Sequence, residues 1–309
     1  MLLDESTVLA SEIDSLGHMN VRFYMTRMER ANQKLLADLN LSSELLANSF
    51  VRRTDTYTRF RAEQFEGATL HTIGGVLDVT EGGMRSYVEI RNAELDQSAA
   101  TFIVTTSLID QKSRSPQPFP LVTNSGLMTE VPEYAQPRTL ALERTGTEVT
   151  LDELLAAIPD EELGSVHRGR YDTTIEEGDV DSEGWLRPDA ELMFLPFSKM
   201  AEQTGVQHGP PVFNTEDGRR VGWAVMETRT QTLGQPKLGD HLQYFNADVA
   251  LEKKSRVTRR WSFNSQTGQI VGMSDTVGIC IDLDARKAID WPEELRTEIM
   301  ARIQPQLGS

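Results

Sequence analysis

Asp14 begins the run Asp-Ser-Leu-Gly-His-Met-Asn, residues 14–20, and a helix-like stretch starts directly after it. This combination suits chemistry at a carbonyl. A carboxylate can attack the carbon or take a proton from water. A Gly turn that feeds a helix start presents backbone N–H groups, natural donors to a developing oxyanion. His18 can position Asp14 or polarise the carbonyl. Asn20 can donate from its side chain or orient water. The plain alternative for such an Asp is a turn or N-cap residue, because those positions favour the same residue types.

A weaker copy, Asp-Ser-Glu-Gly-Trp-Leu-Arg, occupies 181–187, and 181 − 14 = 167. Asp181 and Gly184 are kept, while Trp185 replaces His18 and Arg187 replaces Asn20. Other landmarks follow in the same order. Glu66-Gly67 resembles Leu238-Gly239, and 239 − 67 = 172. Strand-like runs end at Asp110 and Asp282, again 172 apart, and Pro132-Glu133 is echoed by Pro292-Glu293. Ordered landmarks at near-constant spacing indicate a duplication. The period is far too long for a solenoid, so two domains are expected.

The elements that would position these residues can be read from periodicity. Residues 5–13 suit a short strand. From Val21 to about Leu39 the apolar residues Val21, Tyr24, Met25, Met28, Leu35 and Leu36 recur at helical spacing, giving one buried face. Extended segments follow at 50–62, 69–80, 84–95 and 100–110, punctuated by Gly- and Asp-containing turns. One helix covering one face of an antiparallel sheet is an α+β layout. The first domain is expected over 1–110 and the second over 166–309, with a C-terminal extension. Residues 111–165 carry six prolines and read as a packed linker with a short helix near 150–157. In the second copy Pro188 suits a first helical turn, Pro196 would kink or end that helix, and Gly205 to Arg220 reads as a loop near the site mouth.

Composition narrows the function classes. The 309 residues allow two domains with real cores. A formal net charge of −16 argues against nonspecific nucleic-acid binding, which needs a basic surface. There is no apolar run of membrane-spanning length and no basic-then-apolar leader, so a cytoplasmic protein is expected. Cys280 is the single cysteine and lies in an apolar run, which reads as a buried structural thiol. The chain carries no Gly-x-Ser-x-Gly elbow, P-loop or dinucleotide fingerprint, and its five histidines are dispersed. No metal site is expected.

Asp14-x-x-Gly17-His18-x-Asn20, with Tyr24 and Glu29 on the following helix, resembles the hotdog-fold acyl-CoA thioesterases of the 4-hydroxybenzoyl-CoA thioesterase type. Tyr57-Thr-Arg59-Phe with Glu66-Gly67 resembles their strand and turn after the helix. The resemblance implies two tandem hotdog domains, each a curved antiparallel sheet wrapped around a long helix, paired within one chain as a pseudo-dimer. Further self-association stays open. It implies hydrolysis of an acyl-CoA or acyl-carrier-protein thioester, with coenzyme A present only as part of substrate or product and no other cofactor. Asp14 takes the family's catalytic acid position, as nucleophile or general base, with Gly17, His18 and Asn20 beside it and Asp181 as its counterpart. Tyr24, Glu29, Gly184, Trp185 and Arg187 become substrate-binding candidates. Lys253, Lys254 and Arg256 belong to a basic run that either holds coenzyme A phosphates or decorates an exposed hairpin. Arg52 and Arg53 are a second phosphate candidate. The competing classes are a hotdog hydratase or dehydratase, which lacks support from an Asp-x-Asn-Pro-x-His type motif, and a non-catalytic acyl-thioester-binding protein.

Overall fold

The computed structural model describes residues 1–14, 16–121, 124–140, 149–158, 169–187 and 212–308. The chain divides into two units, Met1–Arg138 and Thr139–Ser309.

In the first unit β1 (Leu2–Thr7) precedes α1 (Val21–Asp38) and the short α2 (Ser43–Asn48). Then come β2 (Ser49–Phe60), β3 (Thr69–Thr80), β4 (Gly83–Asn92), β5 (Gln97–Asp110) and the two-residue β6 (Pro116–Gln117). The main strands lie in the order β1-β3-β4-β5-β2, antiparallel at every step. Asn20 caps α1 by accepting the Arg22 N–H at 3.1 Å. The helix buries Tyr24, Met25, Met28, Ala31, Leu35 and Leu36, the face that its 3.6-residue period predicts. These meet Leu70, Val88, Ile90, Phe102 and Val104 in one core. A small polar network lies under the helix: Asn32 donates to Thr106 Oγ1 at 2.9 Å and accepts from Ser86 Oγ at 2.8 Å. Each partner is buried, so the amide is satisfied inside the core. Residues 111–138 belong to this unit. Phe119 and Leu127 enter its core, and β6 pairs with β5.

The second unit contains α3 (Leu151–Ala157), β7 (Gly169–Thr174), the two-residue β8 (Phe213–Asn214), β9 (Arg220–Thr232), β10 (His241–Leu251), β11 (Ser255–Asn264) and β12 (Gln269–Asp282). The short β13 (Lys287–Ala288) and α4 (Glu293–Arg302) complete it. Its main strands follow β7-β10-β11-β12-β9, the topology of the first unit. Thr150 starts α3 with a capping box to Glu153, and Leu154 packs with Phe245, Trp261 and Phe263. The helix expected after Arg187 lies outside the described residues, as does most of the Gly205 to Arg220 insertion.

The two units agree below the level of strand order. Register breaks at Val76/Asp78 in β3 and at Asp248/Ala250 in β10, positions 172 apart. The break at Ile90 in β4 has its counterpart at Ser262 in β11, and Arg53/Asp55 in β2 matches Val225/Glu227 in β9. A bulge shifts side chains by one position, so coincident bulges keep the same residues facing the core. Gly67 and Gly239 both adopt left-handed backbone, at φ +84° and +83°. Among the described residues no helix is long and apolar enough to cross a membrane.

Candidate active site

The Asp14 loop is built by backbone pairing with itself and with the segment that follows β2. Asp14 N–H donates to the His18 carbonyl at 3.0 Å, and Gly17 N–H returns to the Asp14 carbonyl at 3.0 Å. Gly17 sits at φ +83°, which a residue with a Cβ adopts only under strain. Asn20 N–H reaches the Glu12 carbonyl and Met19 N–H reaches the Gln64 carbonyl, at 2.9 and 2.7 Å. Arg27, almost fully buried on α1, donates to both Glu12 carboxylate oxygens at 3.1 and 2.7 Å. The approach to the loop is thereby fixed to the helix.

Asp14's side chain is 9% exposed. Its Oδ1 accepts the Leu16 N–H at 2.9 Å, and its Oδ2 lies 3.8 Å from His18 Nδ1. On the other side of the imidazole, Nε2 lies 3.6 Å from Glu63 Oε1. The ring therefore stands between two carboxylates. The N–H groups of Leu16, Gly17, Met19 and Asn20 are all committed to internal acceptors. Those of His18 and Val21 make no hydrogen bond among the described residues. A carboxylate, an imidazole and two open backbone donors thus share one loop at a helix start.

The second copy reproduces the frame and closes the donors. Asp181 N–H donates to the Trp185 carbonyl at 2.8 Å, Gly184 N–H to the Asp181 carbonyl at 3.0 Å, and Arg187 N–H to the Asp179 carbonyl at 3.1 Å. Gly184 has φ +81°. Here, however, Asp181 Oδ1 accepts from two N–H groups, Glu183 at 2.9 Å and Trp185 at 3.1 Å. The position matching Val21 is 21 + 167 = 188, and Pro188 has no N–H at all.

Residues 8–130 match the family model of the thioesterase-like superfamily. Two solved structures resemble the chain as a whole. An acyl-ACP thioesterase from Bacteroides thetaiotaomicron is 9% identical with a TM-score of 0.58, over 89% of this chain and 96% of that one. A 12:0-ACP thioesterase from Umbellularia californica is 9% identical with a TM-score of 0.63, over 90% of this chain and 93% of that one. At such identity the likeness is one of fold, that of tandem hotdog domains. No curated protein sequence matches the chain.

The other sequence candidates divide by location. In the first unit, Tyr24 lines the core beneath the loop and donates to the Ala62 carbonyl at 3.1 Å. Burial, reinforced by the Glu63 and Asp14 carboxylates, pushes its phenol well above the usual range, so it stays a neutral donor. Glu29 is half-buried and pairs with Arg53 at 2.6 Å, which places both in a helix–strand ion pair. By helix rise, Glu29 lies about 13 Å along α1 from the Asn20 cap. In the second unit Trp185 is half-buried and Arg187 exposed. Arg256 pairs with Asp248 at 3.3 Å and stacks on Trp223 at 4.1 Å, an internal arrangement. Lys253 and Lys254 stand exposed at the β10–β11 turn, near Asp290. Glu63 carries no local signal in the sequence. It is a single carboxylate in an irregular segment, and only folding brings it to His18.

Proposed function

We propose that this protein is a thioester hydrolase acting on an acyl-CoA or an acyl-carrier-protein thioester through the Asp14 loop. One observation carries the reading: the Asp14 carboxylate, the open N–H of His18 in the same loop and the open N–H of Val21 at the start of α1 lie within eight consecutive residues. The likeness in fold to acyl-ACP thioesterases supports it. A thioester carbonyl is electrophilic, and its thiolate is a fair leaving group. In one route Asp14 Oδ2 attacks the carbonyl carbon and the C–S bond breaks. Water then hydrolyses the resulting anhydride. In the other, Asp14 takes a proton from water, hydroxide adds to the carbonyl, and the thiolate departs. Either route puts negative charge on the carbonyl oxygen, and the two N–H groups supply donors for it. Removing one such donor typically costs ~3–4 kcal/mol of transition-state stabilisation. His18 orients Asp14, and Glu63 holds the far side of the ring. No other cofactor takes part, since coenzyme A enters only with the substrate.

The test is incubation with a panel of acyl-CoA and acyl-carrier-protein thioesters in the presence of a thiol reagent. Release of free thiol by the native chain, and its loss in Asp14→Asn, is the expected result. A change at the enoyl double bond instead would assign a hydratase. Tight binding with no turnover would assign a binding protein. Label in the Asp14 carboxylate after a single turnover in ¹⁸O-water identifies the nucleophilic route, because only water adding to the aspartyl carbon of the anhydride puts it there.

A further inference from the structure

An open cleft of about 530 Å³ in the first unit is lined by Arg61, Arg91, Asp96, Gln97, Ser98 and Tyr134, together with Leu95. We propose that it binds a phosphoryl group carried by the thioester substrate, an inference that rests on the hydrolase reading above.

Arg59 Nη1 and Arg61 Nη1 both donate to the Tyr134 carbonyl, at 2.8 and 2.9 Å. Two guanidinium nitrogens on one oxygen lie within about 6 Å of each other, where like charges repel. Arg59 adds only a second carbonyl, that of Gln136 at 2.9 Å. Neither guanidinium has a carboxylate partner among the described residues, in a chain of net charge −16. Arg91 differs: Glu89 and Asp96 bind it at 2.7 and 2.8 Å. The surplus positive charge therefore belongs to Arg59 and Arg61.

The cleft is also braced. Buried Glu89 accepts from Tyr87 Oη at 2.9 Å and from Tyr134 Oη at 2.7 Å, which pins Tyr134 at its ring end while the arginines hold its carbonyl. Arg61 lies over the Tyr134 ring at 5.0 Å. Ser98 Oγ is buried at the cleft without a hydrogen-bond partner. A fixed guanidinium with unused N–H groups beside an unpaired hydroxyl suits the several acceptor oxygens of a phosphoryl group. Position completes the case. Arg59 lies at the end of β2, Arg61 and Glu63 follow in the irregular segment directly after it, and Glu63 Oε1 lies 3.6 Å from His18 Nε2. A substrate anchored at Arg61 by its phosphoryl end would run toward the Asp14 loop.

The test compares three substrates of one acyl group: the CoA thioester, the carrier-protein thioester, and the N-acetylcysteamine thioester, which has no phosphate. Arg61→Ala should raise KM about tenfold or more for a phosphoryl-bearing thioester, with kcat unchanged. It should leave the N-acetylcysteamine thioester unaffected, and Arg61→Lys should recover part of the loss. A KM effect limited to the CoA or to the carrier-protein substrate identifies the source of the phosphoryl group. An equal KM change on all three thioesters, or none on any, would overturn the proposal. If the native chain hydrolyses nothing, the hydrolase reading fails separately. Calorimetry with free CoA then decides the cleft, since weaker binding by Arg61→Ala supports it and equal binding refutes it.

Discussion

Asp181 Oδ1 accepts the N–H of Trp185 at 3.1 Å, whereas the equivalent N–H of His18 in the first unit is left open by Asp14. One hydrogen bond thus separates two loops that otherwise share their frame. In the second unit the carboxylate fills the site that an oxyanion would need, and Pro188 removes the neighbouring donor. On the proposed chemistry, the copied motif there is expected to serve as a turn.

Activity should therefore divide unequally between the two aspartates. Asp14→Asn keeps the shape and the acceptor for Leu16 but loses basicity and nucleophilicity. The expected fall in kcat is on the order of a thousandfold, with the melting temperature unchanged. Asp181→Asn should stay within about threefold of the native kcat, because a donor-poor loop adds little catalysis. Parallel kinetics on the best substrate, with melting curves, check both. A larger loss from Asp181→Asn would place the chemistry in the second unit.

Asp181→Ala should instead register in stability. It removes the acceptor of two backbone donors, a loss of about 1–2 kcal/mol. Thermal unfolding of Asp181→Ala against Asp181→Asn reads this, since the amide oxygen still accepts.

Arg27→Met tests the anchor of the first loop. Arg27 and Glu12 are largely buried, and removing the guanidinium strands the carboxylate. Loss of one partner of a buried pair costs about 3–5 kcal/mol. Denaturant unfolding should show that loss. Activity should fall with it, because the Glu12 carbonyl also takes the Asn20 N–H that sets the helix start.

Cys280 should be inert in the native chain. It is fully buried, and burial pushes its thiol up to about 11. The folded value lies above the ordinary value of 9.0, so this contribution to stability is complete below pH 9 and declines as the pH rises toward 11. A disulfide reagent at pH 8 should label it slowly in buffer and rapidly in denaturant. Slow labelling also leaves thiol-release assays free of background.

Much of this architecture is legible in the sequence because its signals are local. The apolar spacing from Val21 predicts a helix that ends near Leu39, and α1 spans Val21–Asp38. The segments 50–62, 69–80, 84–95 and 100–110 correspond to β2 through β5. The expectation of a strand over 5–13 is met only at 5–7, and β1 begins earlier, at Leu2. β1 ends at Thr7, Val8 still pairs with Gly67 and Ala68 beyond it, and Ala10–Glu12 then form a tight turn. The prolines of 111–165 suggest a packed linker, and within it Phe119 and Leu127 find their partners in strands far back in the chain. Asp14, Gly17 and Asn20 are readable since a turn and a cap are made by neighbours. Glu63 and the shared grip of Arg59 and Arg61 on Tyr134 are not, because each joins segments that no local pattern links. Arg256 illustrates the same limit: its charge is visible in sequence, but the Trp223 and Trp291 rings beside it are not.

The offset between the units is 167 at the aspartate loops and 172 from the left-handed glycines onward, and 172 − 167 = 5. The net difference in length falls between Arg187 and Gly239. From Gly67 to Asp110 and from Gly239 to Asp282 the two stretches are equal in length and carry their bulges at matching positions. They are interchangeable cassettes in the strict sense of chain geometry. A crossover placed inside that window would splice one half's strands to the other's and leave each side chain on the face it started from.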